Sequence, residues 1–134
     1  MRIVLDTNVF ISGVFFSGQP YQILKSWRDG KVQLVISKEI LEEYQRVGEI
    51  LAERFSEVNL DPIIKLIAVK AEMVLAPNLS DPICDDPDDD KFLACALKSK
   101  NKLIISGDKH LLRVSGYRGI KIIRPRRFVD KYLV

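Results

Sequence analysis

Four acidic residues stand where an α/β chain places strand ends and helix starts: Asp6 in IVLDTN, Glu43 in SKEILEEY, Asp89 in DDPDDDKF and Asp108 in IISGDKHL. Carboxylates gathered from such distant points repel each other by roughly 4 kcal/mol per pair at 4 Å and an effective dielectric near 20, so the cluster needs protons or a cation. An all-oxygen donor set suits a hard divalent ion, Mg²⁺ or Mn²⁺, with water and substrate oxygens in the remaining positions. The expected chemistry is metal-assisted hydrolysis. The chain carries 21 Lys plus Arg against 18 Asp plus Glu, and without the four acids the balance is 21 against 14. A modestly basic surface around an acidic pit fits a polyanion held by its phosphates and cut at the metal.

The acids need elements to carry them. Strands are predicted at 2–5, 32–36, 72–76, 102–105 and 120–123, from short apolar and β-branched runs. Helices are predicted from Pro20 to Gly30, from Ser37 to Phe55, from an N-cap at Asp61 with Pro62 behind it, from Asp89 to about Lys100, and as a turn over 109–114. Residues 77–88, rich in proline and aspartate, read as a loop. Strands alternating with helices imply an α/β three-layer sandwich on a mainly parallel five-stranded sheet. In a doubly wound order 3-2-1-4-5 the first and fourth strands flank the switch point, which brings Asp6 and Asp108 face to face.

Helical rotation of about 100° per residue separates inward acids from solvated ones. Glu43 flanks the stripe Ile40, Tyr44, Val47, Leu51, Phe55, whereas Glu42 points away. Asp89 lies within the stripe of Phe92, Leu93, Ala96 and Leu97, with Asp88 and Asp90 to its sides. An inward carboxylate without a partner is expensive, so Asp89 wants helix N–H groups or a metal. Each acid also has a structural alternative: Asp89 as an N-cap, Glu43 as an exposed helix residue, Asp6 and Asp108 as turn residues. Their conjunction favours the site.

One domain over residues 1–134 is expected from the length and the 47% hydrophobic composition. Cys84 and Cys95 lack redox or zinc spacing and read as apolar fillers in a reducing cytosol. No signal peptide is seen, and the uncharged stretch 7–24 is too interrupted by polar residues, glycine and proline to span a membrane, so a cytoplasmic protein is expected. Residues 14–16 form an apolar loop, read as core packing rather than a docking surface.

With these residues assembled, IVLDTNVFISG, LVISKEILEEY, DPDDDKFLACAL and IISGDKHLL together resemble the PIN-domain family of metal-dependent nucleases, most closely the toxins of toxin–antitoxin modules. The resemblance covers nearly the whole chain and implies a PIN-like, flavodoxin-like fold and hydrolysis of RNA. It implies a metal site of Asp6, Glu43, Asp89 (seven residues before the small Ala96) and Asp108, with Glu43 as ligand or as holder of water on the metal. Ser106 stands where threonine is commoner. A homodimer and a bound antitoxin are implied as partners. Thr7, Asn8 and Ser106 flank the acids as supporting or phosphate-contacting groups, with a cap role competing for Asn8. Arg46, Lys109, Arg113 and the cluster Arg124, Arg126, Arg127 are candidate RNA contacts, and a solvated strand end competes for that cluster. His110 reads as a surface residue and Asp86 as a turn residue. A phospho-receiver domain is disfavoured, because the first strand ends Asp6-Thr7 rather than in an acid pair and the third ends Ala76-Pro77. A catalytically silent RNA- or protein-binding module remains as an alternative.

Overall fold

The computed structural model describes residues 1–79, 81–101 and 103–133. Strand β1 (Arg2–Leu5) is buried along Ile3, Val4 and Leu5, as a central strand covered on both faces must be. With β2 (Gln33–Ser37), β3 (Glu72–Val74), β4 (Leu103–Ile105) and β5 (Lys121–Ile123) it forms one sheet in the order β3-β2-β1-β4-β5, all pairs parallel. This is the expected 3-2-1-4-5 topology. Lys102, predicted to open the fourth strand, lies outside the described residues. Helices α1 (Thr7–Phe15), α2 (Gln19–Arg28), α3 (Lys38–Ala52), α4 (Asp61–Lys70), α5 (Asp90–Lys98), α6 (Lys109–Leu112) and α7 (Pro125–Tyr132) complete the chain, with 3₁₀ turns at Pro87–Asp89 and Tyr117–Gly119. Helices cover both faces of the sheet, with α5 against β1, β2 and β4, and α7 beside α2.

Helix α1 was not expected from the sequence. Its Val9, Phe10, Ile11 and Gly13 are all buried, so no polar stripe betrays the 3.6-residue period. The 14–16 stretch is therefore not a loop: α1 runs through Val14 and Phe15, which pack against the core, and is capped at Phe16, which leans edge-on to Phe55. Gly13 is where α1 and α2 meet: a Cβ there would stand 2.6 Å from Leu24 Cδ1 and 2.7 Å from the Pro20 carbonyl oxygen. A larger residue would force these helices apart.

The terminal RPRRF segment is also a helix rather than a strand end. Pro125 sits in its first turn, Phe128 is fully buried, and Tyr132 packs on Phe128 one turn later. Only one side is apolar, and the arginines on the other conceal it. At α4, Asp61 lies inside the first turn, and the Asn59 side chain accepts from its N–H at 3.2 Å, a capping contact expected of Asp61. The α3 helix stops at Ala52, before Phe55, which still packs on Phe15 and Phe16.

Under the carboxyl ends of β1 and β2 the Phe10 and Tyr44 rings stack at 4.1 Å and 8°, joining α1 to α3. The Tyr44 hydroxyl donates to the Leu5 carbonyl at 2.5 Å, at the residue just before Asp6. Cys84 and Cys95 are buried and unbonded, and burial pushes both thiols up. Among the described residues no helix is long and apolar enough to cross a membrane.

Candidate functional site

Parallel pairing sets the site. Leu5 is in register with Ile105, so the next residues, Asp6 and Ser106, leave the sheet side by side, with Asp6 N–H donating to the Ile105 carbonyl at 3.0 Å. Asp6 is buried and caps α1: one oxygen accepts from Asn8 N–H at 2.9 Å, and the other accepts from the Ser106 hydroxyl. Ser106 oxygen in turn accepts from Asp108 N–H at 2.9 Å. One serine therefore ties together the two strand-end aspartates. Asn8 is exposed within the first turn and contributes its backbone N–H, so the cap of α1 is Asp6 and not Asn8.

Asp108 caps α6, accepting from His110 N–H at 2.8 Å. The turn-residue alternative thus describes what Asp6 and Asp108 do locally, and it leaves their charge at the carboxyl edge of the sheet. Asp89 differs. It stands at the N-cap position of α5 without a side-chain capping bond, and its Oδ2 is buried with no hydrogen-bond partner. The cap of the 3₁₀ turn before it is Asp86, whose carboxylate accepts from Asp88 N–H at 3.0 Å. Asp90 accepts from the N–H groups of Ile83 and Cys84 at 3.2 and 2.8 Å and so pins the preceding loop.

Glu43 is held by three neighbours. Thr7 donates its hydroxyl to one oxygen, Lys91 Nζ lies 2.5 Å from the other, and Arg46 stands 3.6 Å away. Lys91 was not singled out from the sequence. It sits in the first turn of α5, where the helix dipole disfavours a cation, and that misplacement is the signal that would have found it. Its side chain is only 17% exposed and that of Glu43 only 14%, so each needs the other.

The electrostatics join these pieces. Burial raises the Asp6 carboxyl above its ordinary value; bonds from Ser106 and Asn8 oppose this, and the charges of Asp108 and Glu43 add to it. Burial also raises Asp89, with Asp108, Asp86 and Asp6 contributing, from 3.8 to about 7. Among the described residues no three His, Cys, Asp or Glu side chains close around one point as a ready ion cage. The acids instead form an open, mutually repelling edge. Such an edge fits Mg²⁺ or Mn²⁺, which keep several waters and take one or two carboxylates, and the unpartnered Asp89 oxygen is an available donor.

A raised Asp89 has a stability consequence in metal-free protein. Its proton is bound more tightly folded than unfolded, so its contribution is fully present below pH 3.8 and is lost as the pH rises through about 7. Asp89→Asn removes that loss. The melting temperature of the variant relative to the unsubstituted chain is expected to climb between these limits, and a pH-independent difference in thermal unfolding would contradict it.

The candidate RNA contacts divide. Arg113 is paired with Asp85 at 2.8 Å, with His110 Nδ1 at 3.4 Å from the same oxygen, and these two lower the Asp85 carboxyl, Arg113 foremost. Arg46 leans on Glu43, while Lys109 is exposed.

Comparison with known proteins places these features in a family. An uncharacterized protein, MJ1680, of Methanocaldococcus jannaschii is 29% identical over a 147-residue alignment covering 98% of this chain and 92% of the relative. The PIN domain family model matches residues 2–110, which hold β1 to β4, all four acids and the serine between two of them. The chain belongs to the PIN domain family.

Proposed function

We propose that the chain is a Mg²⁺- or Mn²⁺-dependent endoribonuclease. The observation that carries this is the Asp89 Oδ2, buried and without a partner beside the charges of Asp108 and Asp6. A bare acceptor among like charges is destabilising unless a proton or a cation is seated there, and at neutral pH and above the cation is the more effective of the two. Membership of the PIN family supports the nuclease reading.

Asp6, Asp89 and Asp108 would hold the ion, one or two of them directly and the rest through its waters, and Glu43, tethered by Lys91 and Thr7, would orient water at its rim. Bound Mg²⁺ or Mn²⁺ supplies activation of water and neutralisation of charge on the phosphodiester. Ser106 keeps Asp6 and Asp108 at a fixed separation through its two hydrogen bonds. The bonds to Asn8 and His110 N–H groups aim one oxygen of each aspartate at its own helix and leave the remaining charge for the ion. Oxygen ligands of this kind are oriented by such outer contacts.

Single-stranded RNA incubated with the purified chain is expected to be cut with Mn²⁺ or Mg²⁺ and to survive intact in EDTA. RNA bound without turnover would favour a silent binding module, a reading to which the Lys91–Glu43 pair lends some support because it satisfies one acid without metal. We assign the toxin role, with an antitoxin partner and a homodimer, on the resemblance of the four motifs. Expression should then arrest growth in a manner relieved by Asp108→Asn.

A further inference from the structure

We propose that the groove between edge strand β5 and helix α7 is the track along which the backbone of single-stranded RNA approaches the carboxylates. This deepens the nuclease reading and rests on it. The groove has a volume of about 430 Å³ and is lined by Lys121, Arg124, Arg127 and Lys131, with Ser115 and Tyr132 among its other walls. All four cations are exposed, and among the described residues none takes part in an ion pair. Elsewhere Arg2 and Arg113 have close carboxylate partners. Four like charges along one short groove repel each other, and a phosphodiester chain is a partner that removes that repulsion.

The groove leads to the site. At its head the Arg124 guanidinium donates to the Gly107 carbonyl at 3.5 Å, one residue before Asp108, and Ser106 N–H donates to the Ile123 carbonyl at 2.9 Å. From there α7 descends seven residues, about 10 Å at 1.5 Å per residue, to Lys131. Lys121 opens β5 on the opposite wall. The helix is anchored by Phe128, and its Arg127 and Lys131 remain exposed beside that anchor. All four lie beyond residue 110, where the family match ends.

The test uses full-length protein carrying Asp108→Asn, so that RNA is not consumed, and a fluorescently labelled oligouridylate read by anisotropy across a KCl series. Adding Arg124→Gln, Arg127→Gln and Lys131→Gln is expected to weaken binding about tenfold or more and to flatten the log–log salt slope by about two, at roughly 0.7 per lost single-strand phosphate contact. Reversal by Lys121→Glu with Lys131→Glu should weaken it further while keeping charge along the sheet edge, and unchanged melting temperatures would show that the fold persists. Unchanged affinity and slope would overturn the track while leaving the nuclease reading intact, and would leave the cations as guards of an edge strand. Groove substitutions that abolish capture of polyglutamate but not of RNA would assign the groove to an acidic protein instead, again overturning it. Failure of the Asp108→Asn protein itself to bind RNA would sink both readings.

Discussion

Asp6→Asn and Asp108→Asn chains are expected to fold and to lose Mn²⁺-dependent RNA cleavage by about two to three orders of magnitude, the scale of removing a preorganised electrostatic group. Folding should persist because the amide keeps the contacts to backbone N–H groups. At position 108 its carbonyl oxygen still accepts from His110 N–H. At position 6 the carbonyl accepts from Asn8 N–H, while the amide N–H₂ donates to Ser106 oxygen, reversing the native bond and leaving the buried Ser106 hydroxyl hydrogen without its acceptor. Each change also removes a charge from a mutually repelling set, and for buried Asp6 an anion that burial disfavours. The melting temperature of Asp108→Asn in metal-free buffer should therefore match or exceed that of the unsubstituted chain, while at position 6 the orphaned Ser106 hydroxyl offsets the gain. Full cleavage by either variant would take that residue out of the catalytic set.

Truncation of Tyr44 to alanine carries the largest expected stability change, about 4 kcal/mol, from loss of a fully buried ring stacked on Phe10. For a chain of this size that is a fall of about 15 °C in thermal unfolding. Tyr44→Phe keeps the ring and removes only the hydroxyl that donates to Leu5, for a loss of about 1–2 kcal/mol. The two variants separate packing from positioning. Leu5 directly precedes Asp6, so Tyr44→Phe, assayed well below its unfolding range, should cut more slowly than its stability accounts for. A Tyr44→Ala drop below about 5 °C would mean that α1 and α3 do not depend on this stack.

Strands and their order were legible because their signals are local and redundant. Apolar β-branched runs such as IVL and LII declare buried strands, and alternation with helices implies a parallel sheet. Strand-terminal Asp6 and Asp108 followed directly from that order. Inward Asp89 was legible from rotation about its helix, and the structure leaves one of its oxygens without a partner. Helices α1 and α7 were not legible. The first is buried around most of its surface, and the second shows little more than Phe128, Val129 and Tyr132 of an apolar side among arginines, so periodicity was silent in both.

Residue types and strand order along the chain by themselves determined which carboxylates share one edge of the sheet, because pleat, rotation and turn chemistry act over a few residues. Tertiary structure alone decided how they are held: Ser106 reaches Asp6 across 100 residues, and Lys91 reaches Glu43 across 48. Such contacts depend on the register of β1 with β4 and on the seating of α5 against the sheet. Packing of the whole core sets both, and no short window of sequence contains it.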